Sequence, residues 1–386
     1  MSSNGLYDVI VVGGGVIGCA VGYYLACEGV SVTVVERGEI GCEASSAAAG
    51  MLAPLTEVED DGPFQEIAIA GLRLFPTLAE TLRAESGVDI EYLTSGILRV
   101  ASSEPEEQRL RSLTKRLVGL PLHWLSAEEA RTLEPALSPE IRGALFSPEE
   151  HQVGADRLVR AFARAAAAHG AKLYRDCRVD GLLKQGERVV GVRTADGPMS
   201  AGHVIVAAGS WTGRLVRSLG VALPVFPVRG QMAALPGKSL LRHIVWGEDG
   251  YLVPKANGLV FAGATVENVG FRQQTTVAGI RGLVRMAGAL APRLAGASPV
   301  VCWAGLRPGS GDGLPLLGPL PGWEGVSVAT GHYRNGILLS AITGRLIARS
   351  IIDGLADESM APFSPARFGD ALLNDAGKMP ALRGKT

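Results

Sequence analysis

The chain has 386 residues, 47% of them hydrophobic, with 37 basic against 38 acidic side chains and a formal charge of −1. That length suggests two or three domains and is ample for a buried core. The charge balance excludes a general nucleic-acid or anionic-membrane binder, which needs a basic footprint. The 51 glycines, nearly twice the usual share and without a collagen period, must serve specific backbone positions.

Tyr7-Asp8-Val9-Ile10-Val11-Val12 is a β-branched run of the kind that forms a buried parallel strand. Gly13-Gly14-Gly15-Val16-Ile17-Gly18 follows and matches G-x-G-x-x-G. A helical stretch over 19–28 is closed by Gly29, and a second strand over 31–35 ends at Glu36. Each part serves dinucleotide binding. Gly13 permits the tight turn, Gly15 lets backbone approach a pyrophosphate, and Gly18 lets helix pack on strand. The helix start offers free N–H groups and partial positive charge to phosphates, and Glu36 can accept from ribose hydroxyls. An acid there disfavours a 2′-phosphate, although Arg37 is next; FAD and NAD both stay open. The uncharged run 9–27 reaches membrane-span length, but five glycines interrupt it and no basic cluster precedes it. A soluble cytoplasmic chain is expected.

Residues 41–52 are small and hydroxyl-rich, which suits close approach to a flat ring system. They read equally as a plain loop leading into an Ala-rich helix. An amphipathic helix is expected over 67–85, then short strands around a polar helix at 104–118, and a capped helix start at Ser126-Ala127-Glu128-Glu129. A helix over 156–169 precedes a strand at 172–174 and paired strands at 179–183 and 189–194. Val204-Ile205-Val206 then runs into Ala207-Ala208-Gly209-Ser210-Trp211, a buried strand and Gly turn returning to the nucleotide fold. Strand-like runs at 226–235, 243–246, 250–254 and 259–263, a helix over 277–290 and a strand toward Trp303 fit an antiparallel sheet with helices on one side.

The segment 302–315, with Arg307 inside it, is too rich in Gly and Pro for a helix or central strand. A last strand at 325–330 leads through Gly331-His332-Tyr333-Arg334-Asn335-Gly336 into an apolar helix over 337–352. Arg307 and Arg334 therefore fall on special loops rather than helix faces. Five cysteines form no C-x-x-C pair, and no two histidines share i, i+4 spacing, so chain spacing gives neither a disulfide framework nor a zinc site.

Three segments together resemble the D-amino-acid oxidase superfamily of FAD-dependent amine oxidases, nearest its bacterial glycine-oxidase branch of the thiamine (thiazole) pathway. They are Ser46-Ala47-Ala48-Ala49-Gly50-Met51-Leu52, Cys302 to Gly309 around Gly305-Leu306-Arg307-Pro308, and Gly331 through Leu339. The resemblance implies an α/β fold: a discontinuous Rossmann-type FAD-binding domain (1–87, 151–220, 305–368), an inserted antiparallel α+β substrate domain (88–150, 221–304) and a flexible tail (369–386). It puts the pyrophosphate of non-covalent FAD on Val16 and Ile17 and the ribose on Glu36, with Arg37 beside it. Ala44, Ser45, Ala49, Gly50 and Met51 would line the flavin, and Val179 would meet adenine. His332, Tyr333, Arg334, Asn335, Gly336, Ile337 and Leu338 would close on the isoalloxazine. Arg307 maps onto the arginine that binds the substrate carboxylate, Arg334 onto a second active-site arginine, and Tyr251 onto a tyrosine on the same carboxylate.

The implied reaction is oxidative deamination of glycine, sarcosine or small D-amino acids. Hydride passes from Cα to flavin N5, O₂ becomes hydrogen peroxide, and the imine is hydrolysed or used for thiazole assembly. Two rivals are a quinone-linked D-amino-acid dehydrogenase and a non-catalytic flavin-binding subunit. A homo-oligomer, with a tetramer as one option, is expected. Asp249 and Val266 stand where the branch has histidine and methionine, and the shorter Val266 predicts a roomier pocket. Cys302 lies too early in the chain to tether flavin.

Overall fold

A computed structural model describes residues 7–57, 62–116, 120–354 and 357–372. Five parallel strands form the heart of the first sheet, in the order Val326–Thr330, Gly197–Val206, Tyr7–Val12, Val32–Val35 and Lys172–Tyr174. Leu316–Pro319, which the sequence reading missed, adds an antiparallel edge. The hairpin Val179–Gln185 and Arg188–Thr194 extends from Gly197–Val206. The central strand Tyr7–Val12 is buried at every position but Asp8 because helices and the hairpin cover both faces.

The helices Val16–Cys27, Pro63–Ser86, Ala155–Ala168 and Gly336–Asp353 pack together in one core with Val9, Val11 and Val34 from this sheet. In the first of them, a Cβ on Gly18 would stand 1.9 Å from the carbonyl oxygen of Gly13. Only a residue without a side chain lets that helix leave its strand so abruptly. The predicted fold class, a discontinuous Rossmann-type unit beside an α+β unit, holds.

The second sheet has eight strands, with Val301–Ser310 at one edge and His123–Ser126 at the other. It is antiparallel except for one parallel pair, Ile244–Gly247 with Ile97–Ala101, a departure from the expected all-antiparallel sheet. Its side chains sort by the two-residue period of a strand. Ala233, Leu235, Val245, Leu252 and Val260 face the helix Val277–Leu290, while Met232, Ile244, Trp246 and Val253 face Ala49 and Ala53 of the first unit. One face is therefore core and the other is a wall turned toward the glycine-rich cradle.

Three local expectations need correction. Residues 40–47 form turns rather than an Ala-rich helix, and Met51–Leu52 pairs with His151–Gln152. The Gly/Pro-rich stretch is mostly a strand: Val301–Ser310 pairs with Val225–Pro236 along ten residues, so Arg307 sits on a strand and not on a loop. The edge position makes this tolerable for Pro308, since an edge strand can spare an N–H donor. That strand also runs across the expected domain boundary at 304/305. The end of the polar helix, at 117–118, and the tail from 373 onward lie outside the described residues. The predicted capping box is present, with Ser126 Oγ accepting from Glu129 N–H and the Glu129 carboxylate accepting from Ser126 N–H. Among the described residues no helix is long and apolar enough to cross a membrane.

Candidate active site

A cavity of about 500 Å³ lies between the carboxyl ends of the parallel strands and the wall of the second sheet. This is where open α/β sheets bind ligands, because helix starts and strand ends converge there. Gly13, Gly15, Val16 and Ile17 line it, with Gly13 in a positive-φ conformation at 113°. Gly15 caps the helix Val16–Cys27 with no side-chain hydrogen bond, while Ser45 Oγ accepts from Val16 N–H at 2.9 Å. The first turn is thus largely open to an anion. Gly18 is not on the cavity wall; it serves packing, as its place in the motif implied.

Glu36 ends the strand Val32–Val35 and is buried. Its carboxylate accepts from Gly14 N–H at 2.8 Å and from Gly38 N–H at 3.1 Å, which fixes its orientation toward the cavity. Arg37 pairs with Glu43 and lies 3.8 Å from the ring centroid of Trp211. Cys177, Arg178, Val179 and Asp180 complete this end. Ala44, Ser45, Ala49, Gly50 and Met51 line the middle. Lys255 holds that segment from behind: its Nζ donates to the carbonyls of Ala49 and Val153, both at 3.1 Å, and to Gln152 Oε1 at 3.2 Å. Burial pushes its pKa down to about 8.

The far end is closed by Met232, Trp246 and Tyr251 from the second sheet, and by Arg307, Pro308 and residues 332–334, 336 and 337. Trp246 and Tyr251 face each other across a strand pair, ring centroids 5.8 Å apart. Tyr333 is held at φ 49°, with its N–H on the carbonyl of Pro308 at 2.9 Å. A left-handed tyrosine stores strain of the sort found at ligand clamps. Asn335 and Leu338 do not reach the cavity: Asn335 is the cap of the helix Gly336–Asp353, and Leu338 is buried in the core. His332 is buried, with Nε2 3.1 Å from Thr343 Oγ1, and burial drives its pKa down to about 3, so it is neutral.

Arg307 lies flat over Gly230, and its Nη1 donates to the carbonyl of Thr265 at 3.1 Å. Among the described residues no carboxylate pairs with it. Thr265 is itself held, since its hydroxyl accepts from Gln231 N–H at 2.8 Å and donates to Glu267 at 2.5 Å. Arg229 pairs with the same Glu267. The guanidinium is therefore aimed by a braced carbonyl while its remaining donors stay available to an anion.

Val266 is 47% exposed and off the cavity wall, so the expected enlargement of the pocket at that position does not arise. Asp249 is exposed in the turn between Ile244–Gly247 and Gly250–Pro254, also away from the wall. Cys302 borders a separate outer groove; the cysteine that reaches the cavity is Cys177, at the Glu36 end. Sequence reasoning missed Gly230, Met232, Trp246, Trp211 and Arg214 on the wall. Trp211 carried a signal, since it follows a parallel strand that ends on the same side as Tyr7–Val12.

The donor set fits FAD: a glycine-capped helix start behind the Gly-rich turn, an oriented acid at the second strand end, and a long small-residue wall. Comparison with known proteins agrees. Residues 8–350 match the family described as DAO, FAD dependent oxidoreductase. Glycine oxidase from Geobacillus kaustophilus (strain HTA426) is 39% identical over 366 residues, covering 94% of this chain and 97% of that one. A crystal structure of glycine oxidase from Geobacillus kaustophilus superposes with a TM-score of 0.90 at 38% identity, covering 94% and 98% of the two chains. A bifunctional protein ThiO/ThiG from Trichormus variabilis (strain ATCC 29413 / PCC 7937) is 35% identical over 94% of this chain and 55% of that longer one.

Proposed function

The chain belongs to the DAO family of FAD-dependent oxidoreductases, and on that premise we propose that it oxidises glycine and other small amino acids to their imines. It is an enzyme that uses FAD. When bound, FAD would supply a two-electron acceptor for the substrate's α-C–H bond, with O₂ as the final oxidant and hydrogen peroxide as its product.

The observation that carries the substrate reading is Arg307. Its planar fork suits bidentate binding of a carboxylate, and it enters the same cavity as the phosphate cradle. Tyr251 and Arg334 line the same end and are proposed to share the carboxylate. Anchoring that group fixes the α-carbon beside the segment 332–337, and such positioning supplies much of the rate. Gly13, Gly15, Val16 and Ile17 would hold the pyrophosphate, Glu36 the ribose, and Val179 the adenine. Residues 44, 45 and 49–51 would hold the ring. The start of the helix Gly336–Asp353 has no side-chain cap, so its N–H groups can stabilise negative charge on the ring's edge. Trp246 and Met232 keep water from the reacting carbon.

His332 is not a base for the substrate. Its depressed pKa and its hydrogen bond to Thr343 make it a poor proton acceptor, so the amine gives its proton to solvent before it reacts. The imine then leaves for hydrolysis to an oxo acid and ammonia. The likeness to a bifunctional protein ThiO/ThiG supports thiazole assembly as another use.

Anaerobic addition of glycine, sarcosine, D-alanine and D-proline to the yellow holoenzyme tests this reading. Bleaching of the flavin, followed by one peroxide per substrate on admitting air, is expected. Bleaching with dye reduction but little peroxide would favour a quinone-linked dehydrogenase. No bleaching with any of the four would leave a non-catalytic flavin subunit.

A further inference from the structure

Three helices end together on the side of the first unit away from the cofactor cavity. Val16–Cys27 contributes Cys27 at its last position, Pro63–Ser86 contributes Glu85 next to its last, and Ala155–Ala168 contributes His169 as its C-cap. The thiol sulfur, a carboxylate oxygen and an imidazole nitrogen all lie within 4.8 Å of one another. We propose that Cys27, Glu85 and His169 form a binding site for a thiophilic divalent cation of the zinc class, with water as the fourth ligand.

The geometry supports a tetrahedral ion. Zinc bonds to nitrogen and oxygen of about 2.0–2.1 Å put neighbouring ligand atoms roughly 3.3–3.4 Å apart. His169 Nε2 and Glu85 Oε2 stand 3.2 Å apart, which is one edge of such a tetrahedron. Glu85 Oε2 is also buried without a geometrically sound hydrogen bond, an expensive state for a carboxylate oxygen that a cation would relieve. The thiol sulfur stands within 4.8 Å of both.

Electrostatics and access favour the same conclusion. Each helix C-terminus carries about half a negative charge, and here three converge on one carboxylate. Cys27 and His169 are exposed and Glu85 is half-buried, so an ion can enter from solvent. The Tyr23 ring stands edge-on to His169, with centroids 5.9 Å apart, and backs the imidazole. A sulfur, a nitrogen and a single carboxylate suit zinc, cobalt or cadmium and not magnesium or calcium, which want several oxygens. On binding, the Cys27 thiol gives its proton to solvent.

The helix Val16–Cys27 is about 18 Å long at the usual rise, and its other end is the phosphate cradle. The cation therefore acts on the fold, by tying three helices, and not on the oxidation. The site is independent of the substrate assignment.

Cobalt(II) added to metal-stripped holoenzyme is the test, read as tetrahedral d–d bands to the red of flavin absorption and as bound metal per chain by elemental analysis. One equivalent is expected, lost in Cys27→Ser and in His169→Gln but kept in Cys42→Ser, which removes another exposed thiol. No uptake, or bands that persist in Cys27→Ser or His169→Gln, overturns the proposal. A second measurement needs no variant: zinc should slow alkylation of Cys27 several-fold, followed by peptide mass, and raise the melting temperature. Alkylation at an unchanged rate also overturns it.

Discussion

The guanidinium of Arg307 occupies the space that a side chain on Gly230 would fill: a Cβ there would stand 2.3 Å from both Nη1 and Nη2. Gly230 and Arg307 belong to adjacent paired strands, with Val228 directly opposite Arg307. The arginine can reach the cavity only by lying across a bare stretch of backbone. Gly230→Ala should therefore push the fork off its line while leaving the phosphate cradle untouched. The expected result is a KM for glycine raised roughly tenfold or more, equivalent to about 1.4 kcal/mol, with flavin content unchanged. Steady-state kinetics with a flavin absorbance ratio checks it. An unchanged KM would mean that the guanidinium does not lie over Gly230 when substrate binds.

Glu267 does the aiming from the other side. Its carboxylate takes hydrogen bonds from Thr265 and Gln231 and pairs with Arg229, whose side chain is only 7% exposed. Glu267→Ala strips the partner from a buried cation, a change that costs about 3–5 kcal/mol in such pairs. It also releases the hydroxyl of Thr265, the residue whose carbonyl holds Arg307. Urea unfolding should show lost stability, and kinetics should show a higher KM in the surviving folded enzyme. Glu267→Gln keeps the side chain's bulk and one of the two acceptor oxygens, and should lose less of both. Equal losses in the two variants would argue against the bracing role.

What the sequence disclosed follows from chain distance. Strand, glycines, helix, strand and Glu36 fall within 30 residues, so their local spacing carried the whole cradle, and Gly18 took the packing role that its place in G-x-G-x-x-G implied. The helix Val277–Leu290 and the capping box at Ser126 were legible for the same reason. The substrate end was not, because its wall is made by tertiary pairing. Trp246 meets Tyr251 across strands, and Gly230 meets Arg307 across 77 positions of sequence. Composition also misled: Pro308 and its neighbouring glycines read as a loop, yet a strand at the sheet edge accommodates them. Asn335 and Leu338 lie on a turn and helix that do face the cavity, but they occupy inward positions there, a distinction that residue type alone could not make.

Gly18 offers a test of the cradle by itself. A methyl at this position would meet the Gly13 carbonyl at 1.9 Å, backbone against which nothing can rotate away. Gly18→Ala must shift the helix Val16–Cys27 off its strand, and overpacking of this kind costs about 1–3 kcal/mol, occasionally more. The helix start would no longer point at the pyrophosphate. Reduced co-purified flavin and a lower Tm, roughly 2–4 °C for each kcal/mol lost, are expected together. Full flavin loading at an unchanged Tm would refute the packing argument.

Lys255 sets a pH signature on stability. Burial holds its pKa at about 8 in the folded chain against 10.5 for an ordinary lysine, although three carbonyl groups accept from its Nζ. Below pH 8 the ammonium is charged in both states, and folding bears the full cost of burying it. Between pH 8 and 10.5 the unfolded chain binds more protons than the folded one, so stability rises with pH across that window. The gain attributable to this group is at most about 3 kcal/mol at 1.36 kcal/mol per pKa unit. Lys255→Met removes the titration and also releases the Ala49 carbonyl. Urea unfolding of both proteins from pH 7 to 10 reads the difference directly. Stability of the wild type relative to Lys255→Met should be flat below pH 8 and climb above it. A difference that stays flat through pH 10 would show that the three carbonyl hydrogen bonds hold the ammonium at its ordinary pKa despite its burial.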